Sequence, residues 1–113
     1  VREDNEKLRD ILEAIARINK YVGLGRAAFE ESELIQTWYV RHLEIVGEAA
    51  CTLSDEAREA ATDVPWKEII GMRNILAHNY FEIDLDIVWI VVSDKLPTLE
   101  TAVQNLLSKI DET

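Results

Sequence analysis

The 113-residue chain has one cysteine, two histidines, two prolines and four glycines. The single cysteine, Cys51, excludes an intramolecular disulfide and any cysteine-rich zinc site. His42 and His78 are too few for a histidine-rich metal site. A di-iron bundle site needs Glu-x-x-His pairs, yet Tyr39 and Ile75 stand three residues before the two histidines. There is no glycine-rich phosphate loop, no H-E-x-x-H and no G-x-S-x-G. No apolar run approaches the roughly 18 residues of a membrane span. The opening VREDNEKLRD is too acidic for a signal or transit peptide, so a cytoplasmic protein away from membranes is expected. Basic residues are also scarce. Twelve Lys and Arg against 22 Asp and Glu give a formal net charge of -10. Counterion release from nucleic acid needs cations, so any RNA or DNA chemistry here has to come from a small local positive site.

What is present is core material. With 48% hydrophobic and 30% charged residues, the chain can bury an apolar interior, and its length suits one domain over residues 1–113. The few glycines and prolines predict long helices joined by short turns. Leu8, Ile11, Leu12, Ile15, Ile18 and Val22 recur at steps of three and four, a first helix that Gly23 and Gly25 end. After a connecting segment, Arg26 to Glu31, Ser32 caps a long second helix through Leu53. Ser54 caps a short helix beginning at Asp55. Asp63 and Pro65 precede another, WKEIIGMRNILAH, that stops near His78. A last amphipathic helix opens at Pro97.

Residues 87–92 (IVWIVV) have the composition of a buried strand. No other segment offers a strand partner, and unpaired backbone groups are costly in a core. The stretch is therefore read as a helix, capped by Asp84 or Asp86 and central in the fold because it is apolar on all sides. The expected fold is all-α, an antiparallel bundle of four to six helices.

One polar cluster stands out at a predicted helix end, Arg73-Asn74-Ile75-Leu76-Ala77-His78-Asn79-Tyr80. Asn74 and His78 share a helix face, and Arg73 lies roughly 140° round from His78 on an ideal helix. A guanidinium holds phosphate bidentately, and an imidazole moves protons near neutrality, as phosphodiester chemistry requires. The same spacing also fits a structural role, with His78 at the helix C-terminus, Arg73 paired to an acid such as Glu44, and Tyr80 in the core.

Arg73 to Tyr80 matches the Arg-x4-His-x-Tyr motif of the HEPN superfamily. The flanks Arg41-His42-Leu43-Glu44-Ile45-Val46-Gly47-Glu48-Ala49-Ala50 and Tyr80-Phe81 through Asp84-Leu85-Asp86-Ile87-Val88-Trp89 resemble its HepT branch, the toxin half of HepT/MntA toxin-antitoxin pairs. The resemblance covers nearly the whole chain. It implies an all-helical homodimer, or a higher oligomer, with two motifs facing one cleft and cleaving RNA without a metal or other cofactor. It also implies a partner, a minimal nucleotidyltransferase of the MntA type that silences the toxin by adding AMP to the motif tyrosine. Carried over by position, Arg73 and His78 are the catalytic residues, Asn74 supports them, and Tyr80 is the AMP acceptor. Glu44 is a further supporting candidate, orienting Arg73. The RNA is unspecified, with tRNA one candidate.

Around this motif, Glu44 and Glu48 can also form a carboxylate pair, and His42 reads as a surface or packing residue. Gly47 and Gly71, inside helices, suggest close helix approach, within the chain or at a dimer seam. Cys51 reads as a small buried hydrophobe. Trp38, Trp66 and Trp89 read as core or interface, and the acidic runs at 30–33 and 82–86 as solvated faces. No Lys or Arg lies between Arg73 and Lys95, so Arg73 with Lys67 or Arg41 has to grip the substrate. Two other readings compete: a catalytically silent nucleotide-binding or adaptor domain that partners the transferase, and a purely structural helical dimer. The charge of -10 suits protein partners, while the intact arginine, histidine and tyrosine suit the nuclease.

Overall fold

The computed structural model describes residues 2–71 and 84–111. All elements among the described residues are helical, in the order α1 (Arg2–Val22), α2 (Arg26–Glu31), α3 (Glu33–Thr52) and α4 (Asp55–Glu59). The helix α5 follows, helical over 66–71 within the described residues. Then come α6 (Leu85–Ile90), a π-helical turn (Val91–Lys95) and α7 (Leu96–Asp111). No helix among the described residues is long and apolar enough to cross a membrane.

The stripe read from the first helix is the floor of the core. Leu8, Ile11, Ile15 and Ile18 of α1 have no exposed surface, and they pack with Tyr39, Leu43 and Val46 of α3 and Val103 of α7. Each such aliphatic side chain contributes on the order of 1.5–3 kcal/mol when fully buried. Three long-range hydrogen bonds, at two places, show that α1 and α3 run antiparallel. Trp38 Nε1 donates to the Arg17 carbonyl at 2.8 Å, near the end of α1 and the start of α3. At the opposite ends, Asp4 accepts from the Ser54 backbone N–H at 2.9 Å and from its hydroxyl at 2.6 Å.

Both predicted serine caps are in place: the Ser32 hydroxyl accepts from Ile35 N–H, and the Ser54 hydroxyl from Ala57 N–H. The turn after α1 relies on Gly25, whose φ of +90° favours glycine. The connecting segment differs from expectation, because Arg26–Glu31 is itself the helix α2. Its Ala-Ala and Glu-Glu pairs are good helix formers, Arg26 bonds Glu30 one turn on, and Phe29 anchors it in the core.

The strand-like segment is helical. Asp84 caps α6, its carboxylate accepting from the N–H groups of Asp86 and Ile87. Its expected central position is not what forms. Val88 and Val92 point inward, but Ile87 and Ile90 are 53% and 45% exposed. A helix against one side of a small core can bury only one face.

The last helix does not open at Pro97. α6, the π turn and α7 are continuous in sequence, and Leu96 N–H bonds back to the Val91 carbonyl, five residues earlier. Pro97 cannot donate a backbone N–H, and its ring would crowd the carbonyl four residues back in a regular helix, so a widened turn just before it relieves both problems. Cys51 is also a correction: it is exposed rather than buried. At this end of α3, Ala50 and Leu53 take the inward positions. At Gly71, an added Cβ has no described neighbour within 4 Å, so any close approach there is not between described parts of the chain.

Candidate active site

Arg73, Asn74, His78 and Tyr80 lie outside the described residues, as does any pairing of Arg73 with Glu44. What is described is the frame on both sides of that stretch and the helix bearing the upstream flank of the motif.

On the near side, α5 starts at Trp66, which is buried. Its indole N–H donates to the carbonyls of Arg58 and Ala61 at 3.2 and 3.0 Å, fixing α5 to the end of α4. A buried indole N–H needs such a partner, and two carbonyls, in the last turn of α4 and just after it, each with a second lone pair beside its backbone hydrogen bond, supply it. On the far side, the Asp84 cap starts α6, and Asp86 receives a hydrogen bond from Arg26 of α2. Arg26 also holds Glu30 at 2.8 Å, and this hydrogen bond, with the charge of Asp86, pushes the already high arginine pKa further up. The chain is thus tied down immediately after residue 83, by the cap expected at Asp84 and by an Arg26–Asp86 contact that the reading of 82–86 as a solvated face did not include.

The flank on α3 places Arg41, Glu44 and Glu48 at intervals of three and four, on one stripe of the helix. Arg41 is exposed, Glu44 half-buried and Glu48 exposed; Lys67, the other cation considered for substrate, is exposed on α5. His42 faces the other way. It is buried, its ring centre lies 4.4 Å from that of Trp38, and its Nδ1 is 2.7 Å from the Trp38 carbonyl. A carbonyl only accepts, so Nδ1 carries the proton. Trp38 in turn meets Tyr21 edge to face at 5.6 Å. This aromatic clamp joins α1 to α3, and its one sequence signal is the Trp-x-x-x-His spacing at 38 and 42. Trp38 and Trp89 are half-buried against the core.

Among the described residues, no group of three or more His, Cys, Asp or Glu side chains is placed to hold a metal ion.

Comparison with known proteins decides the family. The sequence profile described as "Ribonuclease HepT-like" matches residues 11–106, from the third turn of α1 to the last turns of α7. The chain belongs to the HepT-like ribonuclease family. It is 39% identical over 92 residues to a candidate RNase of Caldanaerobacter subterraneus, covering 81% of this chain and 82% of that protein. It is 36% identical over 98 residues to a candidate RNase of Methanocaldococcus jannaschii, with 86% and 90% covered. A protein of Thermococcus cleftensis named probable ribonuclease HepT is 31% identical over 108 residues, with 93% and 96% covered. No solved structure gives a significant match. The HepT-like resemblance noted in the sequence is therefore correct, and at the level of the family the function is that of a ribonuclease.

Proposed function

We propose that this single-domain chain is the toxin of a HepT/MntA-type pair, a metal-independent RNA endonuclease of the cytoplasm that works as a homodimer. The observation that carries the reading is the family match over residues 11–106, which spans the whole Arg73–Tyr80 stretch. In metal-free cleavage the ribose 2′-oxygen attacks the adjacent phosphorus and the 5′-oxygen leaves, giving a 2′,3′-cyclic phosphate and a 5′-hydroxyl. A base takes the 2′-proton, an acid protonates the leaving oxygen, and a cation holds the phosphoryl oxygens as charge builds. His78 serves as acid or base and Arg73 as the clamp, with Asn74 and Glu44 orienting them. One histidine does not readily serve as both base and acid in a single pass, whereas two across a two-fold axis do, which is the chemical reason for the dimer.

Regulation follows from Tyr80, two residues beyond His78. An AMP placed there by a partner nucleotidyltransferase brings bulk and negative charge to the position Arg73 keeps for RNA. A phenol of pKa about 10 is mostly neutral near pH 7, so the transferase has to supply the base and the metal.

The test is expression in cells with and without such a transferase. Wild type is expected to arrest growth alone and to be silenced, with a mass increase of one or more AMP, on co-expression. His78→Ala should be harmless. Tyr80→Phe should arrest growth in both settings, provided the hydroxyl is not needed for cleavage. A silent wild type, or silencing without any mass change, contradicts the toxin-and-AMP reading. A chain inert toward RNA that still binds the transferase is the adaptor alternative, which the net charge of -10 would suit.

A further inference from the structure

The outer face of α6 does not look like a face meant for water. Ile87 and Ile90 are about half exposed there, and with half-buried Val91 they make an apolar strip at helical spacings of three and four. Val91 also walls a cavity of about 390 Å³ between α3, α5, the π turn and α7. Val46, Ile69, Leu96 and Leu99 supply its apolar lining, and Glu68, Asp94 and Lys95 are its charged members. The strip therefore runs directly into the cavity. That volume lies near the lower end of small-ligand pockets, a size suited to one or two apolar side chains. The π turn contributes to this wall, and such turns recur at functional sites in helices.

The charge around the strip selects the partner. Glu68, Asp84, Asp86 and Asp94 surround it, against Lys95 and Arg26, and Arg26 is already engaged by Glu30 and Asp86. A second copy of this face would bring the same acids against each other, which disfavours it as the occupant.

We propose that the α6 strip and its cavity form a docking groove for a basic amphipathic helix of another protein. One large apolar side chain of that helix enters the cavity, its neighbours cover Ile87 and Ile90, and its Lys or Arg residues face Glu68, Asp84 and Asp94. This is the helix-in-groove mode of recognition, with the buried anchor carrying most of the affinity. The groove does not depend on RNA being cleaved elsewhere on the chain.

The test uses the full chain and a fluorescent synthetic peptide of about five helical turns, with Leu on one face and Lys elsewhere. Binding is read by anisotropy. Two control peptides carry Glu in place of Lys, or the same Leu and Lys residues in an order without a helical face. Only the Leu–Lys amphipathic peptide is expected to bind. The double variant Ile87→Ser/Ile90→Ser should weaken it by about tenfold or more. So should Thr98→Trp, which fills the cavity from an exposed rim position without altering charge. Circular dichroism checks that both variants keep their helices. No binding to wild type, equal binding of the control peptides, or unchanged binding to both variants overturns the groove. If wild type sediments as a dimer that Ile87→Ser/Ile90→Ser splits, a second copy covers the strip and the proposal is likewise overturned.

Discussion

Tyr39 of α3 is fully buried, stacked on Phe29 of α2 at 5.2 Å, and its hydroxyl has no hydrogen-bond partner among the described residues. A buried hydroxyl left unpaired costs on the order of 1–3 kcal/mol. Tyr39→Phe keeps the ring and removes the orphan, so it should raise stability by about 1 kcal/mol, measured by urea unfolding. Burial also pushes the Tyr39 pKa up. The folded state then keeps a proton that the unfolded chain gives up above pH about 10. Stability should therefore fall as pH rises past that value, and Tyr39→Phe should lessen the fall. Asp4 has the opposite character: it is buried but satisfied, holding the cap residue of α4 with two hydrogen bonds. Asp4→Ala leaves the Ser54 N–H and hydroxyl short of that partner and should cost about 2 kcal/mol in the same measurement. The two sides of this contact were not equally legible. Ser54 could be read as a cap from its own neighbours, whereas Asp4 lies 50 positions away and nothing local marks it.

At the scale of elements, periodicity and caps located α1, α3, α4 and the start of α5, because each depends on residues within a few positions. Two features needed tertiary information. The six residues of α2 are too few for a periodic stripe and depend on Phe29 docking. The π turn amounts to one extra residue within a helix, and only Pro97 hints at it. A π turn accommodates one extra residue within a continuous helix, and Val88 before it and Leu99 and Val103 after it all face the core. Deleting Asp94 together with Pro97→Ala should convert the turn to regular α-helix and keep both halves in register. Its helical circular dichroism and cooperative melting are expected to survive. Deleting Glu100 instead rotates all that follows by about 100°, taking Val103 and Leu106 out of the core, and should abolish cooperative melting. Equal tolerance of both deletions would contradict this account of the turn.

For the whole molecule, the two readings of the Arg73–Tyr80 cluster were not separable by spacing alone, because an arginine and a histidine at a helix end serve structure as readily as chemistry. What favoured the nuclease reading was the agreement of the motif with both flanks, and the family match over residues 11–106 bears out the likeness to that family. Burial cannot be read from a motif. His42 sits within the upstream flank yet is buried against Trp38, while Arg41, Glu44 and Glu48 take another stripe of α3. An acidic chain with so few cations near the motif should depend on RNA contacts from a handful of residues, which makes each one costly to remove. The most direct measurement is cleavage of total RNA by the purified chain in the presence of a chelator, with the new ends mapped, for wild type, Arg73→Ala and His78→Ala. Wild type is expected to leave cyclic phosphate and 5′-hydroxyl ends. Loss of His78 should slow the reaction by about 10²–10⁴-fold, and loss of Arg73 by about 10²–10³-fold, with the helical signal unchanged in both. Cleavage by His78→Ala at the wild-type rate, or wild-type activity that disappears with chelator and returns with magnesium, would contradict the account.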